Sequence, residues 1–152
     1  MLPGILEAPQ DEGTIKMLVR RPADLEREEV TEAILDTDSG LVGDNWLERA
    51  TAAAGDGEIS KQAQLTLMNA RAAAAVAADR DSWPLCGDQV YVDLDISIGN
   101  LPAGSRLQIG TAVIEISAAP HTGCAKFSSR FGPEALRFVN TGEGKTNRLR
   151  GV

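Results

Sequence analysis

The segment QVYVDLDIS, residues 89–97, constrains the fold most strongly, because apolar residues occupy every second position in it. The apolar positions are Val90, Val92, Leu94 and Ile96. The positions between them are Tyr91, Asp93, Asp95 and Ser97. A period of two places the two sets on opposite faces of a β-strand. The segment therefore predicts a strand with one buried face and one face in water.

The neighbouring segments also predict strands. NLPAGSRLQIGTAVIEIS, residues 100–117, has apolar runs on both sides of Gly110, which indicates two strands in a meander or at a bent barrel corner. IKMLV, residues 15–19, is typical of a short buried strand. We therefore expect a mainly β fold with short helices (α+β), in which the strands form a barrel or a closed sheet.

Helices are expected in three places. QLTLMNARAAAAVAAD, residues 64–79, is the best helical segment because alanine has the highest helix propensity. Apolar spacing predicts a short helix over residues 29–36, and Pro133 suits the first turn of another. Residues 51–57 are predicted to be a loop. RLRGV at the end begins like a further strand, so either the sequence stops before a final strand or the natural protein lacks one.

Length and composition predict one domain, residues 1–152. The chain has 152 residues and is 43% hydrophobic, enough for one core but not for two. The apolar stretch 70–78 is far shorter than the ~20 residues of a membrane helix, and the first residues lack the pattern of a secretion signal. We therefore expect a cytoplasmic protein that uses no membrane and keeps its two cysteines as free thiols.

Charge is distributed unevenly along the chain. The net charge is −7, which argues against nucleic acid or an anionic membrane as the main partner. From His121 onward, however, the sequence contains six basic residues and only two acidic ones, a local charge of +4. The C-terminal part is therefore the basic region of an acidic protein, and we expect it to bind an anionic small molecule.

Several familiar motifs are incomplete in this sequence. GEGKT, residues 142–146, lacks the first glycine of a phosphate-binding P-loop, since that position is Val139. DTDSG, residues 36–40, lacks the glycine and the terminal acidic ligand of a calcium loop. One histidine and two cysteines are too few for a structural zinc site. These three site classes are therefore rejected.

The segment PHTGCAKFSSRFG, residues 120–132, is the best candidate for chemistry. Thiolate is the reactive form of cysteine, and nearby positive charge lowers the pKa of a thiol from about 8.5 toward neutrality. Lys126 and Arg130 follow Cys124 closely, Gly123 allows a bound group to approach the backbone, and His121 either moves a proton or caps the loop. Cys86 has no cation near it in the sequence, so we interpret it as a packing residue.

Several segments in order resemble the MOSC domain, the module named for the C-terminal part of molybdenum-cofactor sulfurases. They are GLVGD (40–44), QLTLMNARAAA (64–74), GDQVYVDLDIS with NLPAGSRLQIGTAVIEIS (87–117), PHTGCAKFSSRFG (120–132), LRFVN and RLRGV. The resemblance runs from about residue 41 to residue 152. It implies a distorted β-barrel similar to the small-domain barrel of pyruvate kinase, and a functional cysteine at Cys124.

The resemblance implies two alternative chemistries for Cys124. In one, the cysteine accepts sulfur as a persulfide from a pyridoxal-phosphate cysteine desulfurase, and pyridoxal phosphate binding is associated with the family. In the other, the thiolate ligates the metal of a molybdenum–pterin cofactor, as in relatives that reduce N-hydroxylated compounds. A purified chain would carry this cofactor or none. The sequence contains no desulfurase domain and no ferredoxin-type cysteine cluster, so a desulfurase or a redox partner protein is required.

The predicted site therefore contains Cys124 and His121 as catalytic residues, with Cys124 also the metal ligand. The predicted cofactor-binding residues are Gly43, Asp44, Gly123, Lys126, Arg130 and Arg148. The alternative from another functional class is a non-catalytic binding or scaffold module that retains the fold. In that case Cys124 is buried and the basic side chains point into solvent.

Overall fold

The computed structural model describes residues 2–119, 121 and 125–152. The helices are α1 (Leu2–Leu6), α2 (Trp46–Ala54), α3 (Ala70–Val76), a 3₁₀ helix (Arg80–Cys86), α4 (Ala125–Phe131), α5 (Pro133–Asn140) and α6 (Glu143–Thr146). The strands are β1 (Thr14–Arg20), β2 (Glu28–Val30), β3 (Leu35–Asp36), β4 (Gly40–Leu41), β5 (Leu67–Asn69), β6 (Val90–Asp93), β7 (Arg106–Ile109) and β8 (Ala112–Glu115).

A four-stranded sheet in the order β2-β1-β6-β5 forms the centre of the fold. Strand β1 is antiparallel to both β2 and β6, whereas β5 is parallel to β6. Strands β3 and β4 form a separate antiparallel pair, as do β7 and β8. The predicted strands at 15–19 and on both sides of Gly110 are therefore confirmed. The strand predicted over 89–97 is confirmed only for residues 90–93, and residues 94–97 are not in a strand.

Strand β6 is covered on both faces, so the prediction of one wet face is wrong for most of its length. Val90, Tyr91 and Val92 are all buried, and Tyr91 is completely inaccessible. The Tyr91 hydroxyl donates a hydrogen bond to the carbonyl oxygen of Trp83 at 2.8 Å. A tyrosine can be buried in this way when its hydroxyl finds a partner, which an alternating polar pattern does not reveal.

Two apolar clusters lie on the two faces of the sheet. On one face Met17, Val19, Met68 and Tyr91 pack with residues of α3, α4 and α5. The other cluster contains Leu67, Val90, Val92, Leu94 and Ile96, against which the inward residues of the β7–β8 hairpin pack. The fold is therefore layered, with helices on one face of the sheet and a hairpin on the other.

The predicted helix over residues 64–79 is correct only for α3. Residues 67–69 form β5 instead, with every side chain buried, because their backbone groups pair with β6. The Asn69 side chain then caps α3 by accepting a hydrogen bond from the backbone NH of Arg71 at 2.8 Å. Pairing between distant segments overrides local propensity here.

Two other local predictions are wrong. The segment 29–36 contains the end of β2 and all of β3 rather than a helix, because residues 28–30 pair with β1. Residues 51–54 belong to α2, whose alanines favour a helix, so the predicted loop is confined to residues 55–57. The helix beginning at Pro133 is confirmed.

The predicted barrel is absent from the described residues, whose strands form three separate sheets. The fold is mixed α+β, with about 32% helix and 20% strand, so the prediction of a mainly β fold is also wrong.

The strand expected at the end of the chain is only one residue pair long, in which the backbone groups of Leu67 and Val152 exchange two hydrogen bonds of 2.8 Å. None of the helices in the described ranges is long and apolar enough to cross a membrane.

Candidate functional site at the 85–88 turn

Three arginines converge on the turn between the 3₁₀ helix and β6. Gly87 adopts the left-handed conformation (φ 93°), which reverses the chain there. Three consecutive carbonyl oxygens each accept a hydrogen bond from a guanidinium: Leu85 from Arg130 (2.9 Å), Cys86 from Arg150 (2.7 Å) and Gly87 from Arg21 (3.0 Å). The turn thereby joins α4, the C-terminal segment and the end of β1.

Asp88, directly after this turn, is completely buried and has two side-chain partners, His121 and Arg150. Its Oδ1 lies 3.0 Å from Nε2 of His121, and its Oδ2 accepts a hydrogen bond from Nη1 of Arg150. Burial alone would raise the pKa of Asp88, but Arg150 and His121 outweigh it and hold that pKa below its ordinary value. The carboxylate is therefore ionised inside the protein.

Cys86 is a packing residue, as predicted. Its side chain is buried in the apolar cluster with Phe127 and Tyr91. Burial, reinforced by the charge of Asp88, raises the pKa of its thiol to about 12. Arg150 and Arg130 do lie near it and oppose that shift, although no cation is close in sequence. We therefore expect Cys86 to be protonated at neutral pH and to react slowly.

Arg21, Arg27, Arg49 and Arg130 form an arginine cluster. Burial and the charges of Arg130 and Arg21 lower the pKa of Arg27, and burial and Arg21 lower that of Arg49. Within the described residues Arg27, Arg49 and Arg130 form no ion pair with a carboxylate. The buried Nε of Arg27 also has no hydrogen-bond partner there. Such a cluster is suited to an anion that neutralises it.

Asp44 lies beside this cluster but is fully occupied by structural contacts. Its carboxylate accepts hydrogen bonds from the backbone NH, Nε and Nη2 of Arg21 and from the backbone NH of Trp46, at 2.7–3.0 Å. Gly43 has a φ of 90°, and a side chain there would approach the guanidinium of Arg20. Asp44 therefore holds Arg21, and Gly43 leaves room for Arg20.

The three cations predicted to bind an anion occupy different environments. Arg130 belongs to the arginine cluster. Lys126 is exposed on α4, with Nζ 3.8 Å from the carboxylate of Asp24. Arg148 lies elsewhere, because its Nη1 donates to the carbonyl oxygens of Ile96 (3.1 Å) and Leu101 (2.5 Å). Arg130 and Asp44 thus both influence Arg27, whereas Arg148 lies in a backbone-binding position.

Two predicted residues, Gly123 and Cys124, lie outside the described residues. His121 is described, and its side chain is 24% exposed. Helix α4 begins at Ala125, immediately after Cys124 in the sequence, and carries both Lys126 and Arg130. In the sequence, His121, which contacts Asp88, precedes Cys124 by three residues, and Arg130 of the arginine cluster follows it by six.

Sequence reasoning missed five residues of this arrangement: Asp88, Arg150, Arg21, Arg27 and Arg49. Asp88 follows Gly87 in GDQVYVDLDIS, one of the segments that resemble the MOSC domain. Its position directly before a buried strand was the one sequence feature that could have identified it. Arg21 and Arg150 gave no local signal, because each meets its partner across a long sequence separation. A sequence alone does not distinguish an arginine in a binding site from one exposed on the surface.

A large cleft lies away from this site. It has a volume of about 1000 Å³ and lies between β3, residues 60–67 and the β8 strand of the hairpin. None of the described site residues lines it. The cleft and the arginine cluster are thus separate features of the molecule.

Comparison of the chain with protein-family models, with curated proteins and with solved structures found no match. In the described part of the chain, no group of three or more His, Cys, Asp or Glu side chains could hold a metal ion. The arrangement at the turn therefore has to be interpreted from its own geometry and charge.

Proposed function

We propose that this chain is a MOSC-type module that binds a molybdenum–pterin cofactor. In this proposal Cys124 provides the thiolate ligand, and the arginine cluster with Lys126 binds the phosphate of the pterin. The module would act as one component of a multi-protein reductase of N-hydroxylated compounds. When bound, the metal would supply the redox chemistry. The protein would supply the thiolate, the anion site and the proton-handling His121.

The observation that carries the proposal is the arginine cluster in an acidic protein. Arg27 is repelled by Arg130 and Arg21, and Arg49 is repelled by Arg21, which outweighs the attraction of Asp44. No carboxylate among the described residues forms an ion pair with Arg27, Arg49 or Arg130. The net charge of −7 means that acidic partners are abundant elsewhere. Arginines that have no acidic partner, and that lie close in sequence or space to the segment 120–132, fit a ligand that carries a phosphate. Thiolate is a soft ligand that suits molybdenum.

Sulfur transfer is the second candidate, supported by the position of His121 next to the cysteine segment. In that reaction the Cys124 thiolate attacks the outer sulfur of a persulfide on the desulfurase. The sulfur–sulfur bond to the desulfurase breaks, its cysteine leaves as a thiolate, and Cys124 carries the persulfide with no net oxidation. The arginine cluster favours cofactor binding over this relay, because a relay needs no phosphate site.

The MOSC-type fold is part of the proposal and is supported by the order of the resembling segments. A chain in which β6, the β7–β8 hairpin and the cysteine segment follow one another is consistent with it. Because the composition is mixed α+β and the described strands form three separate sheets, the module in this proposal has no closed barrel in its described part.

Metal analysis tests cofactor binding directly. The protein is purified from cells that make molybdenum cofactor, and molybdenum per chain is measured for wild type, Cys124→Ser and the matched control Cys86→Ser. We expect stoichiometric molybdenum in wild type and in the control, and its loss from Cys124→Ser. Wild-type protein without molybdenum contradicts cofactor binding.

Mass spectrometry tests the second candidate. Wild-type protein and the same two variants are incubated with a pyridoxal-phosphate cysteine desulfurase and cysteine. Sulfur transfer predicts a gain of one sulfur atom on Cys124, absent from Cys124→Ser and retained in Cys86→Ser. No mass gain in wild type removes this candidate. Failure of both experiments leaves the non-catalytic binding or scaffold module.

A further inference from the structure

We infer that the cleft beside β8 binds an extended segment of a partner protein, which adds to the β7–β8 hairpin as a third strand. The segment has an apolar residue at every second position and a lysine or arginine where it passes Glu115. The cleft of about 1000 Å³ is separate from the arginine cluster, so this binding depends neither on Cys124 nor on a cofactor. Main-chain hydrogen bonds hold such an added strand, and contacts of its alternate side chains give specificity.

The hydrogen bonding of the hairpin decides which backbone groups of β8 point away from β7. Directly beyond the two strands, the backbone NH of Ile116 donates to the carbonyl oxygen of Ser105 at 2.8 Å. In an antiparallel pair, residues bonded across the ladder alternate with residues whose NH and C=O groups point outward. Ile114 therefore bonds to β7, whereas Val113 and Glu115 present their backbone NH and C=O groups on the other side of β8.

The cleft lies along this outward edge of β8. Residues 111–118 line it and no residue of β7 does, while the opposite wall comes from β3 and from residues 60–67. Among the described residues, β8 pairs with β7 and with no other strand. A strand that enters the cleft therefore meets a row of backbone groups that are free to pair with it. Five residues of extended chain span about 17 Å, enough to pass both Val113 and Glu115.

Apolar side chains join the cleft to the protein core. Leu65, Ile114 and Val152 line the cleft and also pack against the buried cluster that contains Leu67 and Ile96. The backbones of Val152 and Leu67 already exchange two hydrogen bonds of 2.8 Å, the pattern of an antiparallel strand pair. The inward side chains of an added strand would extend this cluster. Because side chains alternate between the two faces of a strand, every second residue of the segment should be apolar.

Charge specifies one further residue of the segment. Glu115 is exposed and forms no ion pair among the described residues, even with Arg106, which lies opposite it on β7. Lys61 on the opposite wall is already bound, because its Nζ lies 2.8 Å from the carbonyl oxygen of Thr37 and 3.5 Å from Asp38. A residue of an added strand directly opposite Glu115 places its Cβ about 5 Å away on the same face. A basic residue there supplies the missing countercharge.

The same charge argues against a second copy of this chain as the occupant. If β8 paired with β8 of another copy in an antiparallel ladder, the outward residues of the two strands would face each other. Glu115 would then face Thr111, Val113, Ser117 or the other Glu115, depending on the register. None of these is a cation, so no register of such a pair neutralises Glu115.

A synthetic strand tests the inference. The probe is the peptide Ser-Val-Lys-Val-Lys-Val-Ser with fluorescein at its N-terminus, whose side-chain order is the same in both directions and so fits either strand orientation. Fluorescence anisotropy should show saturable binding to wild-type protein with a Kd below about 1 mM. A second peptide carries a methyl group on the backbone nitrogen of each lysine. It keeps every side chain but loses the NH groups that face β8, so it should bind about tenfold more weakly.

Protein variants locate the binding edge. Val113→Pro removes an outward NH group of β8 but no hydrogen bond to β7, so it should weaken peptide binding about tenfold. Gln108→Pro is the matched control, because Gln108 lies opposite Val113 and its NH points away from the cleft. Glu115→Lys changes only an exposed side chain and should also weaken binding of the lysine peptide. A peptide with glutamate in place of both lysines should prefer Glu115→Lys to wild type.

Three results would overturn the inference. One is the absence of binding to wild type at protein concentrations up to about 1 mM. Another is equal binding to wild type, Val113→Pro and Glu115→Lys, which would place the peptide elsewhere on the surface. The third is a wild-type dimer in sedimentation equilibrium that Val113→Pro converts to a monomer, since the edge would then belong to a second copy.

Discussion

Arg21 and Asp44 form a buried bidentate ion pair, in which Nε and Nη2 of Arg21 lie 2.9 and 2.8 Å from the two carboxylate oxygens of Asp44. The Asp44 side chain is completely inaccessible, and that of Arg21 is 11% exposed. The same carboxylate accepts from the backbone NH of Trp46 at the start of α2. One acidic residue thus fixes a member of the arginine cluster and begins a helix.

Removing this carboxylate should destabilise the fold strongly. Asp44→Ala leaves Arg21 buried without a countercharge, which costs about 3–5 kcal/mol in the free energy of unfolding. Urea unfolding followed by circular dichroism measures the effect. Asp38→Ala is the control, because Asp38 forms an exposed pair with Lys61 and should leave the unfolding midpoint unchanged. Equal effects of the two variants would show that the Arg21–Asp44 pair is not structural.

The arginine cluster should bind a simple anion. Inorganic phosphate is expected to raise the thermal midpoint of wild-type protein, because it neutralises cations that lack carboxylate partners. Arg27→Gln should weaken the apparent phosphate affinity about tenfold or more, since a charge-assisted hydrogen bond is worth about 1.5–3 kcal/mol. Arg106→Gln on the exposed face of β7 is the control. An equal phosphate response in all three proteins contradicts an anion site at the cluster.

Cys86 should be inert in the folded protein. Because burial raises its thiol pKa to about 12, almost none of it is thiolate at pH 7. Iodoacetamide should therefore modify folded Cys124→Ser very slowly, and it should modify Cys86→Ala as fast as wild type. Peptide mapping by mass spectrometry assigns the label. Rapid labelling of Cys86 in the native protein would contradict its placement in the core.

Acidification should remove the stability that Asp88 contributes. The folded-state pKa of Asp88 is below its ordinary value, so the contribution is present above the unfolded pKa of about 3.9 and is lost as the pH falls through the folded pKa. The difference in unfolding free energy between wild type and Asp88→Asn should therefore shrink below about pH 4. A difference independent of pH would show that Asp88 is not ionised when buried.

Gly151 should tolerate no side chain. Its φ is 123°, and a Cβ would lie 2.4 Å from the carbonyl oxygen of Leu67, next to the paired backbone of Val152. Gly151→Ala should cost about 1–3 kcal/mol through backbone strain and should displace His121. Thermal unfolding and the histidine NMR signal report the two effects. Gly99→Ala, where a Cβ meets open space, is the control and should change neither.

Local patterns predicted the elements whose side chains follow a simple period. The strands at 14–20 and on both sides of Gly110, and the helix that begins at Pro133, were found this way. Strand β5 was missed because alanine-rich sequence follows it directly, and only pairing with β6 distinguishes it from a helix. A barrel was predicted instead of open sheets, because the period of a sequence identifies strands but does not show whether the strands close into a barrel.

The candidate site was predictable only in part for the same reason. Gly43, Asp44, Lys126, Arg130 and His121 were named from a resemblance and from local charge. Arg150 meets Asp88 across 62 residues, and Arg21 meets Asp44 across 23. No window of sequence contains both partners, so these contacts appear only when the chain is folded. The structure describes neither Gly123 nor Cys124, and their roles stay predictions.

The ionisation of Cys124 tests the central claim most directly, namely that this thiol is kept as a thiolate beside an anion site. The alkylation rate of wild-type protein is measured from acid to alkaline pH, with Cys124→Ser as the blank. The account predicts a midpoint at least about one pH unit below the ordinary thiol value of about 8.5. A midpoint at or above about 8.5, or a rate no faster than that of Cys86, would contradict it.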